Sequence, residues 1–322
     1  MSALTPARLS REIAAFLAFK RALGYRYVRG EFTLRNFERF AARGCGSRSP
    51  MDLKAVIRAW LLRTPGRKPV TLADDLGAVR QFCLYLHRSD PTAFVPPVSF
   101  APQTASRFVP YVFSLEEIRR LIRAAEQYEA FKVWPGMLRT LLVTTYCTGL
   151  RLGEAVRLQR SDLDQGRRVL HILGSKGRSR DVPFQADLQQ VFSGYLCERA
   201  DLLRSRGREA EAALFVGRDG RGITLRTTSN VVRLLLRRLG MKKPIGRCGP
   251  RPYDLRHAFA VHRLTAWYRD GVDLHARLPW LSAYMGHLNV LGTEVYLHAT
   301  AELLETASER FAIRFSRPQE RS

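Results

Sequence analysis

The sequence predicts a mainly α-helical protein of two domains, with a small antiparallel sheet inserted into the second. Three observations lead there. The chain is 322 residues long, more than one average domain needs. Apolar residues recur at helical spacing through most of it. Proline then breaks that pattern between Asp90 and Pro110, at Pro91, Pro96, Pro97, Pro102 and Pro110, and favours an extended segment there. The division expected is 1–90 as a helical domain, 91–112 as a linker and 113–322 as a second domain.

In the first domain, Ile13, Phe16, Leu17 and Phe19 share one face of a helix over 7–23, which stops at Gly24. Further helices are expected at 32–42, 51–63 and 71–87. After the linker, Ser114-Leu115-Glu116-Glu117 has the spacing of a capping box, in which serine and glutamate satisfy each other's backbone donors. Residues 136–147 read as an apolar helix. The runs 169–173 and 180–184 read as strands separated by the turn signal Gly174-Ser175-Lys176-Gly177. Helices follow at 186–204, 227–239, 254–268, 278–285 and 300–313.

Composition narrows the partner. Lys and Arg number 53 against 29 Asp and Glu, a net charge of +24, and 46% of the residues are hydrophobic. A chain this apolar buries a core, and one this basic points to a polyanion, of which nucleic acid is the commonest. No apolar run of eighteen residues and no signal peptide is seen, so a membrane partner is not expected. The cysteines (Cys45, Cys83, Cys147, Cys197, Cys248) are odd in number and scattered, without zinc spacing. Free thiols in a bacterial cytoplasm, with the protein associated with the nucleoid, are the expectation, and no cofactor or metal.

The chemistry is carried by Thr148-Gly149-Leu150-Arg151-Leu152-Gly153-Glu154, Tyr253-Asp254-Leu255-Arg256-His257, Met285-Gly286-His287, and Tyr296 within Gly-Thr-Glu-Val-Tyr-Leu-His. Arginine's planar fork can make paired hydrogen bonds to phosphate oxygens, and a phenol held before such a phosphate can attack it. Taken singly, each arginine also reads as a solvated surface residue, His287 as a helix cap and Tyr296 as a packed aromatic. Lys176 reads as an exposed turn lysine, yet it is the sole lysine between Lys132 and Lys242.

Together and in this order, these segments resemble the four signature boxes of the tyrosine recombinases, or phage integrases, and the resemblance covers about 113–310. It implies a helical core-binding domain and an α+β catalytic domain forming a clamp on double-stranded DNA recombination sites. Tyr296 is the implied nucleophile, forming a 3′-phosphotyrosyl link without a metal. Arg151 and Arg256 are the implied phosphate clamps, Lys176 the acid that protonates the leaving 5′-oxygen, and His287 a hydrogen-bond donor to the phosphate. It further implies a homotetramer on DNA, or assembly with other recombinases, in integration or excision of a mobile element.

One position departs from the pattern: Tyr253 stands where the family usually has a histidine that helps deprotonate the nucleophile. A phenol donates a hydrogen bond well but accepts a proton poorly near neutral pH. His257 and His262 are nearby, but helical geometry does not put either in the expected place. Two other readings therefore stay open, a catalytically weak DNA-binding accessory member and a type IB topoisomerase-like relaxing enzyme. The helix expected after Tyr296 would bury an apolar stripe on a neighbouring protomer or on its own domain.

Overall fold

A computed structural model describes residues 4–44, 50–102, 110–130, 132–175, 178–246, 248–294 and 296–297. The chain divides into two units, 1–107 and 108–322. Lys176 and the helix expected at 300–313 lie outside the described residues.

Among its described residues the first unit holds four α-helices, α1 (Pro6–Ala22), α2 (Val28–Gly44), α3 (Leu53–Leu62) and α4 (Pro69–Ser89). The Thr5 hydroxyl caps α1 by accepting from the backbone of Arg8 at 3.3 Å. Pro69 opens α4, where a missing N–H costs nothing. Helix α2 begins four residues before the sequence suggested: Gly30 falls in its first turn, where its weak propensity matters least. Leu9, Ile13, Phe16, Leu34, Phe37, Ile57, Trp60, Val79 and Phe82 form the shared core. The described first part of the proline-containing stretch, up to residue 102, packs on this core through Phe94, Val95 and Phe100, and Ala101 is buried.

The second unit opens with α5 (Leu115–Glu126), whose capping box is present: Ser114 and Glu117 exchange hydrogen bonds of 2.9 and 3.1 Å. Helix α6 (Pro135–Thr148) is buried along most of its length and leads through Gly149 to the short α7 (Leu152–Val156). A three-stranded antiparallel sheet follows, in the order β1 (Leu163–Asp164), β2 (Val169–Ser175), β3 (Arg178–Pro183). In the hairpin Leu170 pairs with Val182 and Ile172 with Arg180, and the register shifts between Ile172 and Ser175. The two-residue β1 is too short to leave a sequence signal. Then come α8 (Ala186–Ser205), α9 (Leu225–Arg238), α10 (Asp254–Arg269), α11 (Leu274–Met285) and α12 (Leu291–Glu294). Helix α11 starts four residues earlier than expected because Asp273 caps it, accepting from the backbone of His275 at 2.8 Å.

Two apolar clusters fill this unit. The larger joins α5, α6, α8, α9 and the sheet. The smaller gathers Phe259, Val261 and Leu264 of α10 with Leu278, Leu281 and Met285 of α11, and includes Tyr296.

In the first unit Trp60 is fully buried and meets Phe37 edge-on, centroids 5.3 Å apart. Trp60→Ala should destabilise this unit by about 3–5 kcal/mol through lost burial and a residual cavity. Urea unfolding checks it, and an unchanged midpoint would contradict this account of the core.

Candidate active site

The site is built around two glycine turns. Helix α6 ends at Gly149, which adopts φ +62°, and a Cβ there would overlap the Phe259 ring. Helix α11 ends the same way at Gly286, φ +69°, where a Cβ would lie 2.7 Å from the Arg180 guanidinium. Both positions need the left-handed backbone that glycine adopts freely and leave no room for a side chain.

Arg151 follows the first turn at the head of α7. Its backbone N–H donates to Glu154 Oε2 at 3.0 Å, its Nη1 to Glu154 Oε1 at 2.6 Å, and its Nη2 to the Gly286 carbonyl at 3.3 Å. Glu154 is only 3% exposed and serves a second arginine. Arg180 of β3 donates to it from Nη1 and Nη2 at 3.3 and 3.0 Å, and from Nε to the Tyr284 carbonyl at 2.9 Å. One buried carboxylate thus joins the Gly149 turn, the hairpin and the end of α11.

Arg256, on the first turn of α10, is fully buried. Its Nη1 donates to the Gly149 carbonyl at 2.7 Å and its Nη2 to the Met285 carbonyl at 2.8 Å. Guanidinium has five N–H donors, so this grip fixes the plane and leaves three for another acceptor. Nε makes no hydrogen bond among the described residues. Burial, and after it the Arg151 charge, lowers the Arg256 pKa from its ordinary value. Two guanidiniums share the Glu154 carboxylate and a third, Arg256, is gripped by backbone carbonyls, so the surplus positive charge favours an anion.

Tyr296 is 3% exposed, in the turn after α12. His257 Nδ1 lies 3.1 Å from its hydroxyl. The His287 ring stacks on the phenol with centroids 6.2 Å apart, held through Nδ1 by the Thr293 hydroxyl at 2.7 Å. Burial pushes the Tyr296 phenol up to about 12, against the opposing charges of Arg256 and Arg151. Burial likewise pushes His257 down to about 4, opposed by Asp254 and assisted by Arg251 and Arg256. Tyr253 is 40% exposed and sets its ring against His257 at 4.9 Å.

Arg151, Arg256, His287, Tyr253 and Tyr296 are therefore brought into one cluster. The spacing of the boxes gives no reason to single out Arg180 or Asp254, and it puts His257 away from the place of Tyr253. Tyr296, however, reaches α10 from the α12 side, a direction that no spacing reveals. No described group of His, Cys, Asp or Glu has the makings of a metal site, and no described helix is long and apolar enough to cross a membrane.

The phage integrase family model matches residues 112–302, which contain all four boxes and this cluster. The chain belongs to the phage integrase family. A putative integrase/recombinase, y4rB of Sinorhizobium fredii, is 32% identical over 94% of this chain and 96% of its own length. The tyrosine recombinase XerD of Listeria innocua is 24% identical over 77% of this chain and 78% of its own. Among solved structures, the Tn1549 transposon integrase in complex with circular intermediate DNA shares the fold, with a TM-score of 0.66 at 18% identity, covering 96% of this integrase and all of that chain.

Removing the shared carboxylate should be severe. Glu154→Ala leaves Arg151 and Arg180 facing each other without a counter-charge, and should cost about 3–5 kcal/mol in chemical denaturation. Retention of wild-type stability would mean that water or a rotamer change replaces the carboxylate.

The pH dependence of stability has a fixed sign. His257 titrates near 6.5 in the unfolded chain and about 4 in the folded one. Between those values the unfolded state binds more protons, so its contribution is complete above about 6.5 and is lost as pH falls toward 4. Thermal midpoints at pH 7 and pH 5 should differ in that direction, with a smaller difference in His257→Gln. An equal slope in the variant would assign the loss to other groups.

Proposed function

We propose that this integrase cuts and rejoins double-stranded DNA at specific sites through a 3′-phosphotyrosyl intermediate on Tyr296. The observation that carries the proposal is the convergence of Tyr296 with Arg151, Arg256 and His287 in one positively charged cluster. Arg151 and Arg256 keep donors free after their grip on Glu154 and on the Gly149, Met285 and Gly286 carbonyls. Those donors hold the non-bridging oxygens and stabilise the charge that grows on them at pentacoordinate phosphorus. Guanidiniums already locked in place need no reorganisation when the phosphate arrives. His287, fixed by Thr293, adds a third donor.

In cleavage the Tyr296 oxygen bonds to phosphorus as the bond to the 5′-oxygen breaks, and Lys176 supplies that oxygen's proton. Rejoining is the reverse with a new 5′-hydroxyl. Bond energy is kept in the phosphotyrosyl link, so neither metal nor nucleotide is required. The first unit serves as the core-binding domain, and the net charge of +24 supplies sequence-independent grip on the duplex. Integration or excision of a mobile element, by a tetramer on DNA in a bacterial cytoplasm, is the biological setting that fits. Support for the mobile-element role comes from the relative named as a putative integrase/recombinase and from the fold shared with a transposon integrase.

Tyr253, in place of the family's usual histidine, favours a second reading, a DNA-binding accessory member with weak or absent cleavage. Covalent trapping separates the two. Labelled duplexes from the DNA flanking the gene, quenched in denaturant, should give a shifted band with the wild type and none with Tyr296→Phe. Arg151→Ala or Arg256→Ala should cut the rate of adduct formation by about 10²–10³ while leaving salt-sensitive binding largely intact. Chelator should change nothing. Binding without any adduct would favour the accessory reading, and strict magnesium dependence would overturn the mechanism.

A further inference from the structure

We propose that His257, with the Asp254 carboxylate behind it, is the general base that takes the proton from Tyr296, in place of the residue at position 253. The inference rests on Tyr296 being the nucleophile. Its ground is a chain of four side chains, three of them on or just before the first turn of α10. Arg251 donates to Asp254 from its backbone at 2.8 Å and from Nη2 at 2.8 Å. Asp254, 1% exposed, sets Oδ1 at 3.7 Å from His257 Nε2. The opposite ring nitrogen of His257, Nδ1, faces the Tyr296 hydroxyl at 3.1 Å. A nucleophile in reach of a base, with a carboxylate behind the base, is the arrangement that activates a weak hydroxyl nucleophile.

The tautomer follows from the partners. The phenol has one proton to give and Nδ1 accepts it, so the imidazole's own proton sits on Nε2, on the side of Asp254. When the ring becomes imidazolium, the carboxylate stabilises it. The charged and titratable groups facing His257 are Asp254, Arg251, Arg256, Tyr253 and Tyr296. Burial keeps the ring neutral at physiological pH, so its lone pair is available. A weak base suffices, because the phenol proton becomes strongly acidic as its oxygen bonds to phosphorus.

Tyr253 is poorly placed for this task. It contacts the edge of His257 rather than replacing it, and it is the more exposed of the two. Its phenol is left to donate toward the phosphate.

The step balances. The Tyr296 oxygen–phosphorus bond forms, the phosphorus–5′-oxygen bond breaks, the phenol proton moves to His257 Nδ1, and the 5′-oxygen leaves with a proton from the acid. In rejoining the imidazolium returns its proton to the departing phenolate oxygen.

The test is single-turnover adduct formation on nicked duplexes from the DNA flanking the gene, comparing wild type, His257→Ala, His257→Asn, Asp254→Asn and Tyr253→Phe. His257→Ala should lose about 10²–10⁴ in rate, with duplex binding kept. Added imidazoles should restore it in proportion to their basicity, an effect that loss of packing would not produce. His257→Asn, which keeps a hydrogen-bonding group but cannot take a proton, should be as slow as the alanine variant. Tyr253→Phe should lose far less. Asp254→Asn should lower the plateau and move the acid limb of the pH–rate profile to lower pH, since Asp254 holds the His257 pKa up. Wild-type cleavage in His257→Ala or His257→Asn, or a loss that no imidazole restores, overturns the base assignment. Absence of a Tyr296-dependent adduct in the wild type itself would instead overturn the recombinase reading.

Discussion

The site depends on one buried carboxylate. Glu154 binds Arg151 beside it and Arg180 across from it, and each arginine then holds a carbonyl at the end of α11. Three elements far apart in sequence are tied at one anionic point: the turn after α6, the β2–β3 hairpin and the Gly286 turn. Ion pairs in such surroundings add little to net stability, because desolvation offsets much of the attraction. What they provide is direction. Each guanidinium is held in one plane, and Arg151 keeps donors for a ligand.

The two left-handed glycines serve the same end. Helix-terminal carbonyls are normally left to water or a cap. Here the Gly149 and Met285 carbonyls accept from Arg256, and the Gly286 carbonyl accepts from Arg151. The turns hold the arginines and the arginines close the turns. A side chain at either glycine would enter space already filled by Phe259 or Arg180, so chain reversal and close approach are required together.

Burial also sets the protonation states. The same exclusion of water raises the Tyr296 phenol and lowers His257, leaving both neutral at physiological pH and in hydrogen-bond contact. A neutral phenol beside a neutral imidazole is a resting pair. In the mechanism proposed above, it becomes reactive only when an anion enters and the phenol oxygen begins to bond to phosphorus.

Much of this was legible in the chain. Helical periodicity marked nearly every helix of both units, and the glycine-containing turn marked the hairpin, because these signals are local. The four boxes named Arg151, Arg256, His287 and Tyr296, since paired arginines and a late tyrosine have few other reasons to occur in that order. Lys176 lies outside the described residues, and its role stays with the resemblance. The sequence determined which residues are present and which element carries each of them. Only the tertiary structure decided that Arg180 shares Glu154 with Arg151, and that Tyr296 meets α10 at His257 rather than at Tyr253. The reason is physical: those contacts depend on how α12 and β3 pack against α10 and α11, and that packing is set by shape across the whole core, leaving no trace in the spacing of any one segment.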